Sequence, residues 1–299
     1  MIQFKHLLAA FDALDGVYAP NTLRAYRADN RGFHAFCTTH QRVDYPADAD
    51  TVITYLEHLS QRSHYSSISR AVTAIHAAHL ALEVPSPCRS RAVQIALKRI
   101  ARRNGRAQSQ ALGMTHTLRD ALLHVTDASL IGERDRVLLR LAYESMRRRS
   151  ELTSLRIEDL ARRPDGSGLL LLRRSKTDQE GLGFQIILSK TCVETIHTWL
   201  DRADLDSGPI LRSVTRQQAV GKSLSPCSVA RIYKRLARRA GCSEDVVARL
   251  SGHSTRVGAA QDLVSRGDSL PQIMRRGGWR SPDIVSRYTV LTALQPIDL

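Results

Sequence analysis

Four side chains in the last sixth of the sequence stand in an order that chemistry can use. His253 and Arg256 lie within Ser251-Gly-His-Ser-Thr-Arg-Val-Gly-Ala-Ala260, Trp279 follows Gly277-Gly278, and Tyr288 comes nine residues later. An imidazole and a guanidinium three residues apart share one helical face and can grip a single phosphate. A phenol is a useful nucleophile only against an electrophile whose negative charge other groups neutralise. With a free pKa of about 10 it also needs help losing its proton at neutral pH. Upstream, Ser145-Met-Arg-Arg-Arg149 runs into Ser150-Glu-Leu152, and Arg174-Ser-Lys-Thr177 lies between two apolar stretches. The chemistry open to this set is phosphoryl transfer onto the protein's own tyrosine.

Taken singly, each member has a plainer reading. A tyrosine in a helix is usually core or surface, and the chain has eight. A His-x-x-Arg pair or one lysine on a hairpin is mostly solvated charge, and a tryptophan after two glycines mostly packs. The ordered combination carries the argument.

The elements that must position these groups are mostly helical. Residues 1 to about 105 read as helices only. Asn21 or Thr22 can cap a helix running to about Cys37, and Asp48 or Asp50 one over Val52–Leu59. Ser66 and Ser67 open a third, with Ile68, Val72, Ile75 and His79 on one face. A fourth has Val93, Ala96, Leu97 and Ile100 in helical register and stops at Gly105. Residues 106–114 are polar, small and aperiodic and read as a linker, so the expected domains are 1–105 and 115–299. In the second, Val137, Leu138, Leu141 and Ala142 mark a core helix. Leu169–Leu172 and Phe184–Leu188 mark two strands, with a turn at Pro164–Gly168 before the first. Helices return with Val193, Ile196 and Leu200, then Val229, Ile232, Tyr233 and Leu236. Val257-Gly-Ala-Ala260 reads as small-residue helix packing, and Ile273 and Met274 as core.

Composition narrows the partner. Lys+Arg number 44 against 29 Asp+Glu, a net charge of +15 that calls for a polyanion. Nucleic acid is the first candidate and an anionic membrane surface the second, but no run approaches the length of a spanning helix. The N-terminus also lacks a signal-peptide layout. The basic residues cluster: Arg89, Arg91, Lys98, Arg99, Arg102 and Arg103 surround one apolar stripe, and Arg231, Lys234, Arg235, Arg238 and Arg239 another. Neither helix carries acids of its own, which favours phosphate contact over a merely solvated face and suggests a clamp around a duplex. Five scattered cysteines (Cys37, Cys88, Cys192, Cys227, Cys242) fit a reduced cytoplasm and suit neither a zinc site nor a disulfide framework. No Walker motif, carboxylate cluster or His/Cys metal set is present, which is consistent with chemistry that requires neither metal nor ATP.

The order Arg148, Lys176, His253-x-x-Arg256, Trp279, Tyr288 resembles the tyrosine site-specific recombinases, the phage integrase family, and within it the Cre-type recombinases. Ser251–Ala260, Ile273–Trp279 and the nine-residue step to Tyr288 match almost residue for residue, and the likeness extends over nearly the whole chain. It implies a mostly α protein: an N-terminal core-binding domain of four to five helices and an α+β catalytic domain with a small antiparallel sheet. It also implies a site-specific DNA recombinase that joins Tyr288 to a 3′-phosphate, passes through a Holliday junction and works as a homotetramer on two duplexes bearing inverted repeats. Such a protein is bacterial or phage-encoded, cytoplasmic and nucleoid-associated, and uses no cofactor.

By the same resemblance, Arg148 and Arg256 hold the phosphate oxygens, His253 is general base or phosphate donor, and Lys176 is general acid. Trp279 stands where many relatives have histidine, and its indole can donate one hydrogen bond but cannot shuttle a proton. Glu151 orients a cationic member of the site. Three consecutive arginines make the first position ambiguous; counting back three from Glu151 selects Arg148, leaving Arg147 and Arg149 to backbone contacts or solvent. Thr22, Arg24, Ser66, Ser67, Arg70 and Arg99 would face the duplex. Cys227 occupies the place of a base-reading arginine, with Arg231 or Lys234 compensating. The apolar tail beyond Tyr288 is expected to dock on a neighbouring protomer. Type IB topoisomerases and hairpin telomere resolvases share the cleavage chemistry, and a non-catalytic DNA-binding protein is the alternative of another class. Loss of strand transfer in Tyr288→Phe separates the last.

Overall fold

The computed structural model describes residues 4–106, 110–175 and 183–293, with side chains described as far as Tyr288. Contacts divide the chain between Ser109 and Gln110 into two compact units.

The first unit is all helix: α1 (Phe4–Asp12), α2 (Pro20–Thr39), α3 (Ala49–Ser60), α4 (Tyr65–Ala81) and α5 (Arg91–Asn104). Their apolar faces meet in one core that includes Phe33, Tyr55, Ile68, Ile75, Val93 and Ile100. Three helix starts depend on short polar side chains or proline. Asp48 caps α3 by accepting from the Thr51 amide at 2.7 Å, and Ser90 caps α5. The start of α2 corrects the expectation of an Asn21 or Thr22 cap. Ala19 is the cap residue, and Pro20 opens the helix because its fixed φ suits the first turn, where its missing N–H goes unmissed. Likewise Ser66 and Ser67 lie inside α4, whose cap is His64. Gly105 ends α5 at φ +73°, a left-handed conformation that suits glycine. Within the core, His79 is fully buried; its Nε2 accepts from the Ala47 amide at 3.0 Å and its Nδ1 donates to the Ile75 carbonyl at 2.8 Å.

The second unit comprises α6 (His116–His124), α7 (Leu130–Ser145), α8 (Arg149–Leu152), β1 (Leu160–Arg162), β2 (Gly168–Leu172) and β3 (Phe184–Leu188). There follow α9 (Lys190–Arg202), α10 (Pro226–Arg239), α11 (Glu244–Arg249), α12 (Ser254–Ser265), α13 (Leu270–Gly277) and α14 (Pro282–Ala293). The sheet is antiparallel in the order β1-β2-β3, with Leu160 opposite Leu170 and Leu170 opposite Ile186. Strand alternation puts Leu170, Leu172, Ile186 and Leu188 in the core and leaves Leu171 and Ile187 outside. α7 supplies the centre of that core through Val137, Leu138, Leu141 and Ala142.

Two sequence expectations change here. The segment 110–114, read as part of a linker, is built into this unit: Leu112 N–H bonds the Arg249 carbonyl at 3.2 Å, Met114 N–H bonds the Ser254 carbonyl at 2.8 Å, and Met114 is fully buried. Gly258 makes the approach possible, since a Cβ there would come within 2.0 Å of the Met114 carbonyl. The basic face of α10 is also less free than its lack of local acids suggests. Arg235 pairs with the buried Asp135, Arg238 with Glu244 at 2.9 Å, and Arg239 with Asp127 at 3.1 Å. The neutralising acids come from other elements, two of them more than 90 residues away in sequence.

Candidate active site

The local chain path explains how the guanidiniums meet. α7 ends at Met146, a buried non-glycine residue in the left-handed region at φ +52°. This conformation turns the chain sharply into Arg147-Arg148 and presents the Met146 carbonyl to the Nη1 of Arg256, which donates to it. Arg256 lies in the first turn of α12 and is 2% exposed, with its guanidinium carbon 4.2 Å from the centre of the Trp279 ring. Its Nη2 is buried and has no hydrogen-bond partner among the described residues. A buried, unpaired charged donor is costly unless an acceptor arrives. Burial, then the nearby Arg148 and Arg147, lower its pKa to about 9, which leaves it cationic at neutral pH.

Arg148 is held by Glu151 on the short helix α8. One Glu151 oxygen accepts from Arg148 Nη1 at 2.8 Å, and the other accepts from the Arg148 backbone N–H at 3.0 Å. Glu151 is buried, so this two-point grip fixes the direction of a guanidinium that keeps 24% of its side-chain surface in solvent. Arg147 turns the opposite way. It is 3% exposed, donates to the Ser145 carbonyl at 2.6 Å and to the Arg276 carbonyl, and lies 4.4 Å from the centre of the Phe184 ring. Burial, offset in part by Glu151, brings its pKa down to about 10. Arg149 is exposed, with its stem against Gly252.

His253 and Arg256 were expected to share a helical face. His253 instead occupies the cap position of α12, with its backbone N–H on Ser251 Oγ at 3.1 Å and its ring at the surface, one turn from the buried Arg256. Protein packed around the ring, then Arg256, Arg149 and Arg148, lower its pKa below the usual 6.5. Trp279 is set by the end of α13. Gly278 takes φ +63° and the Trp279 amide reaches back to the Met274 carbonyl at 3.0 Å, a Schellman closure. Gly277 has no room for a side chain, because a Cβ would lie 2.0 Å from the indole. The Tyr288 ring meets the indole edge-on, with centroids 5.9 Å apart. Trp279, Ile273, Val285 and Tyr288 belong to a small apolar cluster that packs α12, α13 and α14 together.

Arg148, Arg256, Trp279 and Tyr288 thus come together with His253 at the rim. Lys176 lies outside the described residues, as does the chain from residue 294 onward, on which the docking-tail expectation falls. Of the candidate DNA-facing residues, Arg24, Ser66, Arg70, Arg99 and Arg231 are exposed and Thr22, Ser67 and Lys234 half-buried. Several already have partners: Arg70 makes two bonds to Asp29 at 2.7 and 3.0 Å, Arg24 bonds Asn21 at 2.6 Å, Arg231 bonds Ser228 and Lys234 the Ala248 carbonyl. Cys227 is exposed at the start of α10. Sequence reasoning missed the Met146 carbonyl and the buried Arg147. No local signal marks the first, and the second stands in a run of three arginines between Met146 and Ser150 that does not tell which of them is buried. Among the described residues, no group of three or more His, Cys, Asp or Glu is placed to hold a metal ion. No described helix is long and apolar enough to cross a membrane.

The phage integrase family profile matches residues 113–294. An integrase/recombinase XerD homolog of Selenomonas ruminantium is 34% identical over 295 residues, covering 94% of this chain and 84% of the relative. The Cre recombinase of Escherichia phage P1, the type suggested by the motifs, is 27% identical and covers 86% and 80%. Among solved structures, a lambda integrase tetramer bound to a Holliday junction aligns over 100% of this chain and 80% of its own, with a TM-score of 0.68 at 15% identity. The XerH recombinase in a post-cleavage complex with its difH substrate aligns over 90% and 76%, with a TM-score of 0.67 at 16%. At such identities the structural likeness establishes the shared fold.

Proposed function

The chain belongs to the phage integrase family, and from that premise we propose that it is a site-specific DNA recombinase that cleaves and rejoins strands through Tyr288. The supporting observation is the buried Nη2 of Arg256, a charged donor with no partner among the described residues, beneath an indole that also touches the tyrosine ring. An anionic phosphodiester oxygen is the acceptor that such a donor suits.

Tyr288 Oη attacks the backbone phosphorus and the bond to the 5′-oxygen breaks. The products are a 3′-phosphotyrosyl bond and a 5′-hydroxyl, so the energy of the phosphodiester is kept for rejoining. Negative charge grows on the non-bridging oxygens in the transition state, where Arg256 and Arg148 are worth most. Glu151 keeps Arg148 aimed without competing for the phosphate, since its oxygens can only accept. His253 is neutral at pH 7 and able to take the phenol proton or to bond a phosphate oxygen. Lys176 supplies the proton to the leaving 5′-oxygen. Trp279 packs the site and offers one N–H. The substrate is double-stranded DNA with inverted repeats, and four copies act on two duplexes through a Holliday junction, in a DNA-containing cytoplasm. The exposed arginines of the first unit contact the phosphates.

To test this, wild-type and Tyr288→Phe proteins are incubated with nicked, fragmented DNA from the source organism and its mobile elements, and SDS-resistant adducts are sequenced. Wild-type adducts at a recurring inverted repeat, absent in Tyr288→Phe, are expected. Equal adducts in both proteins would remove Tyr288 from the role, and DNA enrichment without adducts would favour a binding protein.

A further inference from the structure

The backbone carbonyl of Tyr288 has a partner outside its own helix. Gln261 on α12, eight residues after His253, donates its side-chain amide to that carbonyl at 3.1 Å, and Gln110 approaches the same oxygen at 3.5 Å. A carbonyl can only accept, so the amide nitrogen of Gln261 is the atom that faces it. The carbonyl's second lone pair allows this bond beside the helix's own ladder. Gln261 is in turn confined. A Cβ at Gly113 would fall 1.9 Å from the Gln261 Oε1, so the strap 110–114 closes over the amide. The strap is pinned to the same helix at the Ser254 carbonyl and over Gly258. Ser254, Gly258 and Gln261 are spaced four and three residues apart, and therefore form one line along α12.

We propose that Gln261 is a positioning residue for strand cleavage: its amide latches the tyrosine-bearing helix α14 to the helix that carries Arg256. The inference rests on the reading of Tyr288 as the nucleophile. Arg256 and Gln261 are both on α12, so one rigid element sets the place of the phosphate and of the phenol that attacks it. Reacting atoms must sit within a few tenths of an ångström of a near-attack geometry, and a helix anchored at the nucleophile's own backbone meets that need. Without the latch α14 keeps the apolar packing of Val285 and Tyr288 against Ile273 and Trp279, but loses the shorter of the two side-chain bonds to the residue 288 carbonyl. The loss falls on cleavage and not on DNA binding.

Two substitutions of nearly the same size test this. Gln261→Met removes the donor. Gln261→Glu removes it only while the carboxylate is ionised, because a protonated carboxyl can donate again. The substrate is a nicked duplex carrying the sequence recovered in wild-type adducts, and single-turnover adduct formation is compared with binding of the same duplex. Gln261→Met is expected to form adduct about three- to ten-fold more slowly with unchanged affinity, the size of one neutral hydrogen bond. The deficit of Gln261→Glu, taken against wild type at each pH, should shrink between pH 8 and pH 5, while that of Gln261→Met stays constant. A merely structural role would give Gln261→Glu no such recovery. Independently of DNA, Tyr288-Thr289 is the only Tyr-Thr pair in the sequence. Carbonyl-13C tyrosine with 15N threonine therefore yields one correlation peak, whose carbonyl shift should move upfield in Gln261→Met. Adduct formation by Gln261→Met at the wild-type rate would overturn the inference and leave the recombinase reading intact. A wild type that forms no adduct would overturn that reading, and with it the role of the latch, even if the peak still reported the bond.

Discussion

At the residue scale, the site is a set of cations whose directions are set by neutral or acidic neighbours. Arg256 is fixed by the Met146 carbonyl and the Trp279 ring, and Arg148 by both oxygens of Glu151. Glu151→Gln keeps the shape but exchanges one acceptor oxygen for a donor and removes the charge. We expect cleavage to slow by about ten-fold or more, the scale of a lost charge-assisted hydrogen bond, while duplex binding persists. A gel-resolved single-turnover assay beside a binding titration checks this. For His253 the folded pKa lies below the ordinary 6.5, so the imidazole is neutral at pH 7 and remains so until the pH drops past 6.5. Cleavage should therefore be flat from pH 8 to 6.5 and fall only below that, and the same profile for His253→Gln should lack the acid limb. The residues that the fold brings together, Arg148, Arg256, Trp279 and Tyr288 with His253 at the rim, were legible in the sequence by their types and order. What anchors them was not. A backbone carbonyl such as that of Met146 has no side-chain signature, and Gln261 is an ordinary polar residue until α14 is seen against α12.

Elements were legible where their signals are local. The Asp48 cap, the Gly105 stop and the apolar run Phe184–Leu188 all act within a few residues. The N-terminal helix α1 and the three-residue strand β1 went unread, since such short segments repeat their pattern too few times to stand out. The basic face of α10 was read as free for the same reason in reverse: Asp127 and Asp135, which pair with it, are distant in sequence. The Gly277-Gly278 turn shows how much positioning rests on one element end. Gly278→Ala must hold an L-residue at φ +63° and bring a Cβ within 2.9 Å of Arg147 Nη1. It should cost about 1–2 kcal/mol in urea unfolding. It should also slow cleavage more than it weakens binding, because the turn launches Trp279 onto Arg256.

For the whole molecule, the +15 charge argues for DNA, yet the ion pairs show that the excess is unevenly available. Arg99 on α5 is exposed and has no ion pair among the described residues, whereas Arg238 is committed to Glu244. If the first unit contacts phosphates, Arg99→Ala should reduce the slope of log affinity against log salt by about 1, and Arg238→Ala should change it much less. Titrations at several salt concentrations separate the two. The most direct test of the account is the chemical identity of the covalent product. Adducts formed by the wild-type protein are digested with nuclease and trypsin and analysed by mass spectrometry. Because Arg287 precedes Tyr288, cleavage after it yields a peptide that begins with the tyrosine. The account predicts that this peptide carries a nucleotide through its 3′-phosphate and that the released strand bears a 5′-hydroxyl. A nucleotide on any other residue, or a 5′-phosphoryl linkage, would contradict it.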